Sequence, residues 1–324
     1  MKYWISVLAG AMSYGILSTI VVHAYDRGYK LGEVTGSQLL CGFLLAWLFA
    51  GFVRLRESKR KRGTVTTATD PQVKGNDRER QAKLSWKQKL LLMLAGTPIA
   101  ITGLLYYKSL NYIPASLAII MLFQFTWIGV VLQSAFTRKR PGASVLLSLA
   151  VLLGGTGLAA GVLESNGTVF HPVGMGLGLL SAISYSLMIM FSGKAVPQAN
   201  PAYRSAWMST GAVLFLFIVF PPHFLLNGLL WEGLVWFGLL LGFFGAFIPP
   251  LLYAYGIPHI GEGMASILGA VELPVAVLLS SFVLHENVSG LQWFGVLLVL
   301  FGIAIPELLK LRKRDRGVPI GKTA

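Results

Sequence analysis

The sequence predicts an all-α polytopic membrane protein, ten transmembrane helices arranged as two inverted five-helix repeats. Three observations carry this. Of 324 residues, 55% are apolar or aromatic and only 12% are charged, about half the charged fraction of a soluble chain. The apolar residues fall into stretches of about 20, the length that spans a bilayer core. The second half of the chain also repeats the first.

Bounding apolar stretches by charge, Gly or Pro gives segments at about 3–24, 33–53, 90–107, 113–136, 143–163, 172–193, 203–220, 231–256, 262–284 and 291–309. The first could pass for a secretory leader ending at Val22-His23-Ala24, but as a retained helix it completes the repeat. Connections such as Asn111-Tyr112 and Pro141-Gly142 are short, so consecutive segments are antiparallel neighbours. The exception, about 55–87, is polar, rich in Lys, Arg and Thr and without apolar period, which reads as a disordered cytoplasmic loop.

With the N-terminus in the cytoplasm, all but Arg27, Lys30 and Lys108 of the 27 Lys and Arg residues lie on the cytoplasmic side. The positive-inside rule then puts both termini inside. It also accounts for the net charge of +14 without nucleic acid: the partners expected are a small-molecule substrate and anionic lipid headgroups beside the basic loops. A homodimer is left open. Cys41 is the single cysteine, so neither an intramolecular disulfide nor a Cys/His metal site is expected, and no cofactor is implied. The five histidines fall near segment ends or in loops and read as solvated.

A shift of 147 places Tyr106 on Tyr253, Ile113 on Ile260, Ala118 on Ala265 and Ile120 on Ile267. A shift of 171 aligns Ala11-Met12-Ser13-Tyr14 with Ala182-Ile183-Ser184-Tyr185. The offsets differ by about the excess length of the basic loop. The halves are therefore 1–165 and 166–310, followed by a basic tail, 311–324. An odd number of helices per half makes the copies enter the membrane in opposite directions, an architecture of secondary transporters.

Glu272, in GAVELPVAV, is the acidic residue in the middle of a span. A carboxylate there is costly unless paired, hydrated or protonated, which suits a proton carrier or a counter-ion for an amine; a structural carboxyl is the alternative. Pro274 frees the carbonyl of Ala270, bending the ninth segment or offering an acceptor to substrate. The 147 shift brings FQFTW (123–127) opposite. Gln124 there could orient a polar substrate or cap a neighbouring carbonyl, and Phe123 and Trp127 could wall a cavity. Tyr14 and Tyr185 are candidates for hydroxyls facing that cavity. Pro249 and Pro250 interrupt the eighth segment as a hinge or a static kink. Glycines four apart, Gly157 and Gly161, Gly174 and Gly178, and Gly238 and Gly242, suit close helix packing. No catalytic constellation accompanies Glu272, which argues against an intramembrane enzyme acting on lipid-linked substrates. A sensor or scaffold would lack a soluble readout domain.

Two runs then carry a resemblance: YYKSLNYIPASLAII (106–120) and ELPVAVLLSSFVLHENVSGLQWFGVLLVLFGIAIPE (272–307). With the ten segments in two halves, the chain resembles the EamA family of the drug/metabolite transporter superfamily. In that family a Pro in helix 9 precedes an apolar stretch, a Glu-containing turn, a Gln and a Gly; here these are Pro274, Glu286, Gln292 and Gly295. Leu284-His285-Glu286 departs from the family's usual Leu-Gly-Glu, and Arg138-Lys139-Arg140 stands at that place in the first half, so Glu286 is assigned to turn structure. The resemblance implies alternating access around a central cavity lined by helices 1, 3, 4, 6, 8 and 9, often for export of amino acids, other metabolites or drugs. The expected setting is a bacterial plasma membrane.

Overall fold

In the computed structural model, the described residues are 2–64, 84–109, 111–113, 115–159, 171–283 and 288–315, and among them no strand occurs. Most of the basic loop, the turn holding Glu286 and the end of the tail lie outside them. The predicted segments become α1 (Lys2–Asp26), α2 (Leu31–Ser58), α3 (Trp86–Ser109), α4 (Ala115–Phe123 continued by Phe125–Thr137), α5 (Ala143–Ala159), α6 (Pro172–Lys194), α7 (Pro201–Val219), α8 (Leu230–Ile260), α9 (Glu262–Val283) and α10 (Gly290–Asp315). Among the described residues, eight stretches are long and apolar enough to cross a membrane, whereas α5 and the apolar part of α10, Gly290–Pro306, are shorter. Leu48, Ile218, Trp231 and Phe282, each at least 70% exposed, form an outer apolar surface suited to lipid rather than water.

Local sequence sets several helix starts. Ser85 and Gln88 exchange backbone–side-chain hydrogen bonds ahead of α3, and Ser289 and Gln292 do the same ahead of α10. Both are capping boxes that satisfy otherwise orphaned N–H groups. Gln292, one of the motif residues, therefore works as a cap. The Asn200 side chain accepts from Ala202 N at the start of α7, and Pro201, which needs no partner, occupies the first turn.

The packing follows the repeat. Helix α3 packs on α6 as α1 packs on α8; α3 packs on α7 as α2 packs on α8; α5 pairs with α10 and α4 with α9. In the α5–α10 pair Ser148 Oγ donates to Gly302 O at 2.6 Å, and a Cβ on Gly155 would lie 3.0 Å from Gly295 O. Adding 147 turns Ser148 into Gly295 and Gly155 into Gly302. This contact is its own counterpart, as a two-fold relation between the copies requires. Gly238 and Gly242 face Ser37, Cys41 and Gly42 of α2 at close range, as their spacing predicts, while Gly157 meets nothing and Gly155 takes its place in the interface.

Sequence reasoning did not foresee that one of the loop charges is buried. Arg204, counted among the cytoplasmic cations, is fully buried at the start of α7. Its guanidinium donates to Ala195 O at 3.0 Å, Ala254 O at 2.7 Å and Ser192 O. It ties the carbonyl end of α6 to α7 and α8, where a cation also meets the negative end of a helix. A short apolar–polar boundary reads the same in sequence whether the cation points to water or inward.

Candidate functional site

A cavity of about 130 Å³ lies at the centre, walled by residues of α1, α2, α3, α4, α6, α8 and α9. Four of these helices break beside it, and the breaks in α9, α4 and α8 have a chemical cause or cap. In α9, Pro274 has no N–H for Ala270 O, which instead accepts from Leu273 N at 3.3 Å in a tightened turn. The helix restarts at Glu272, whose carboxyl thus sits in the first turn of the segment Glu272–Val283, at a helix's positive end.

In α4 the break falls at Gln124, the position that the 147 shift equates with Val271. Gln124 N bonds to Met121 O at 3.3 Å, leaving Ile120 O, and the residue's own Nε2 donates to that oxygen at 2.9 Å. Trp127 Nε1 donates to Gln124 Oε1 at 2.7 Å. Of the two roles predicted for Gln124, capping a carbonyl is the one its contacts fill. Gln124 and Trp127 stand off the cavity wall, whereas Phe123 is on it.

Helix α1 is interrupted at Ile16, between Lys2–Gly15 and Leu17–Asp26. A Cβ on Gly15 would come within 2.6 Å of Glu272 O, so glycine allows α1 to approach the α9 break.

Helix α8 opens into a wide turn over Gly242–Phe247, where Ile248 N bonds to Phe243 O five residues back. Phe244 O would next look to residue 249, but Pro249 has no N–H. Ser13 Oγ of α1 donates to it at 2.6 Å. Gly245 O is deprived twice, since its four- and five-residue partners are Pro249 and Pro250. Gly245 lines the cavity. The two prolines thus shape the site as well as the helix. On the other side, Ser184 Oγ of α6, the 171-shift equivalent of Ser13, donates to Pro98 O of α3 at 3.1 Å and accepts from Thr102 Oγ1 at 2.9 Å.

The predicted polar residues converge. Tyr185 Oη donates to Glu272 Oε2 at 3.1 Å, and its ring packs edge-on against Phe125 at 4.4 Å. Phe125 and Glu272 are equivalents under the 147 shift. Tyr14 meets the Tyr185 ring edge-on at 5.8 Å, and its hydroxyl lies 3.6 Å from Met188 Sδ. Tyr14, Tyr185, Glu272 and Phe123 all line the cavity; Pro249, Pro250 and Pro274 act behind its wall.

Sequence reasoning missed Thr35 and Gln38, one turn apart on α2. Both are more than nine-tenths buried and line the cavity, and neither Thr35 Oγ1 nor Gln38 Oε1 has a hydrogen-bond partner. Two polar residues three apart early in an apolar span were a readable signal. Ser13 and Ser184 also stood in the aligned strings beside the tyrosines. Among the described residues no cluster of His, Cys, Asp or Glu is arranged to hold a metal ion.

Fold and site together define a multi-pass helical membrane protein with a central cavity bordered by broken helices. Residues 172–306 match the model of the EamA-like transporter family. An uncharacterized transporter, sll1319, of Synechocystis sp. (strain ATCC 27184 / PCC 6803 / Kazusa) is 27% identical over 205 residues, 62% of this chain and 61% of that protein. The chain thus spans about three-fifths of that relative's length. A crystal structure of another protein shares the fold with a TM-score of 0.65 at 16% identity, over 94% of this chain and 98% of the other. Residues 172–306 thus resemble an EamA-like transporter domain, consistent with the drug/metabolite transporter superfamily and with the resemblance drawn from residues 272–307.

Proposed function

We propose that the protein is a secondary transporter that moves a small organic metabolite or amphiphile across a bacterial plasma membrane by alternating access, in the outward direction, with both termini cytoplasmic. The observation that carries this reading is the central cavity with the Tyr185–Glu272 pair on its wall, set where α1, α4, α8 and α9 all break. Broken helices around a midplane site supply the polar backbone groups and the flexible joints that alternating access uses. Glu272 serves as the coupling group: it gives up the Tyr185 hydrogen bond and exchanges a proton or a solute cation when the cavity opens. The cyanobacterial relative, itself described as a transporter, supports both the class and the bacterial setting.

The test is flux in proteoliposomes of the wild type and Glu272→Gln, with amino acids, amines, nucleosides and lipophilic cations and an internal pH reporter. A saturable solute flux with proton movement is expected in the wild type, and loss of the proton movement in a mutant that remains monodisperse. Unchanged coupling in the mutant removes Glu272 from the mechanism. A chemically altered lipid after incubation with lipid extract, without solute flux, would favour an intramembrane enzyme.

A further inference from the structure

We infer that the cavity selects a compact primary ammonium ion, held by Glu272 on α9 and by the unpaired oxygens of Gln38 and Thr35 on α2. The inference rests on the transport reading for its purpose, but its chemistry comes from the wall itself. Among the described lining residues none is Lys, Arg or His, and Glu272 supplies the formal charge. A carboxylate or phosphate entering this space would meet a carboxyl group and no cation, and an uncompensated buried charge is strongly disfavoured.

The uncharged groups point the same way. Gln38 Oε1 is buried without a donor, and Gly245 O has prolines at both positions from which its helix would supply one. Gln38 Nε2 lies 2.6 Å from where a Gly245 Cβ would stand, so the Gln38 amide sits directly against α8 at this point of the wall. Thr35 Oγ1, one turn from Gln38, is also unpartnered. Buried polar groups are normally satisfied, and such a cluster on a cavity wall marks where a ligand supplies the missing donors. An ammonium group brings three N–H donors and no acceptor.

The remaining wall suits the rest of such a ligand. Five aromatic rings, Tyr14, Tyr106, Tyr107, Phe123 and Tyr185, line the space, and ring faces attract cations as well as packing alkyl chains. A cavity of about 130 Å³ resembles in size one that admits a benzene-sized guest, which limits the ligand to a handful of heavy atoms.

The test compares four probes of similar bulk with the purified full chain in detergent by calorimetry: butylammonium, tetramethylammonium, butyrate and 1-butanol. The order expected is butylammonium first, tetramethylammonium weaker because it has no N–H, and butyrate and butanol undetected. Gln38→Leu weakens butylammonium about tenfold, the loss of one hydrogen bond to a charged donor, and leaves tetramethylammonium within about twofold. Thr35→Val, nearly isosteric, gives a smaller loss of the same kind and serves if Gln38→Leu does not fold. Butyrate or butanol binding as tightly as butylammonium overturns the inference, as does butylammonium binding unchanged in both variants. Currents on solid-supported membranes separate the two readings. Butylammonium binding without any solute current overturns transport and leaves the site; current carried by another solute, without butylammonium binding, overturns the site and leaves transport.

Discussion

Replacing Arg204 with methionine tests how this membrane-embedded architecture is tied together. The side chain, on α7, is fully buried, and its three hydrogen bonds end on the carbonyls of Ser192 and Ala195 at the end of α6 and of Ala254 in α8. Methionine fills much of the volume but donates nothing, so three buried carbonyls lose a charged donor. Each such bond contributes about 1.5–3 kcal/mol, and an orphaned carbonyl costs about 1–3 kcal/mol. Relaxation and water entry cut the total, and removing one partner of a buried charged network generally costs about 3–5 kcal/mol. At roughly 2 °C per kcal/mol for a chain of this size, the midpoint for loss of monodisperse protein on heating falls by about 5–10 °C. Arg204→Lys keeps the charge but not the planar fork, and recovers part of the loss. Fluorescence-detected size exclusion after heating measures all three forms. A methionine variant as heat-resistant as the wild type would refute the reasoning, since it would mean that the carbonyls find other donors at no cost.

Three further outcomes are expected. Gly211→Ala drives a methyl into the backbone carbonyl of Met93 where α7 crosses α3, and should destabilise by about 1–3 kcal/mol, whereas Gly157→Ala, which meets nothing, should be neutral in the same heating assay. Ser13→Ala should cost more than Ser184→Ala, about 1–3 against roughly 1 kcal/mol, because Pro249 leaves Phe244 O without a backbone donor while Pro98 O has the N–H of residue 102 four positions on; equal midpoints would contradict this. Tyr185→Phe removes the donor to Glu272 but keeps the ring against Phe125, so flux should change with pH differently from the wild type while the melting midpoint moves little; an unaltered pH profile would show that the pair does not couple.

The site was partly legible in the sequence. Glu272 was readable because a carboxyl in mid-span is costly, and Tyr14 with Tyr185 because the 171 shift repeats them. Pro274, Pro249 and Pro250 were readable as breaks, since a missing N–H acts whatever the surroundings. Gln124 was readable only as a pair of alternatives: a mid-span amide signals an unsatisfied group to be met, but not whether that group belongs to a substrate or to the residue's own helix, four positions back. Trp127 followed it off the wall through their shared hydrogen bond. Thr35 and Gln38 were passed over because neither carries a charge, and their isolation appears only when α2 is packed against α8 at Gly42 and Gly242.

The sequence by itself determined the solvent, the helical segments, the repeat and the positions where helices must break. These depend on transfer energies, chain periodicity and the covalent structure of proline, all local or cumulative along the chain. Only the tertiary structure decided which orphaned groups find partners. Ser13 reaches Phe244 O across 231 residues of chain and Arg204 turns inward to three carbonyls, while Gln38 Oε1 and Thr35 Oγ1, on residues of the cavity wall, are left without partners. Hydrogen-bond satisfaction is a property of short distances between distant segments, and those distances exist only once the two halves have packed.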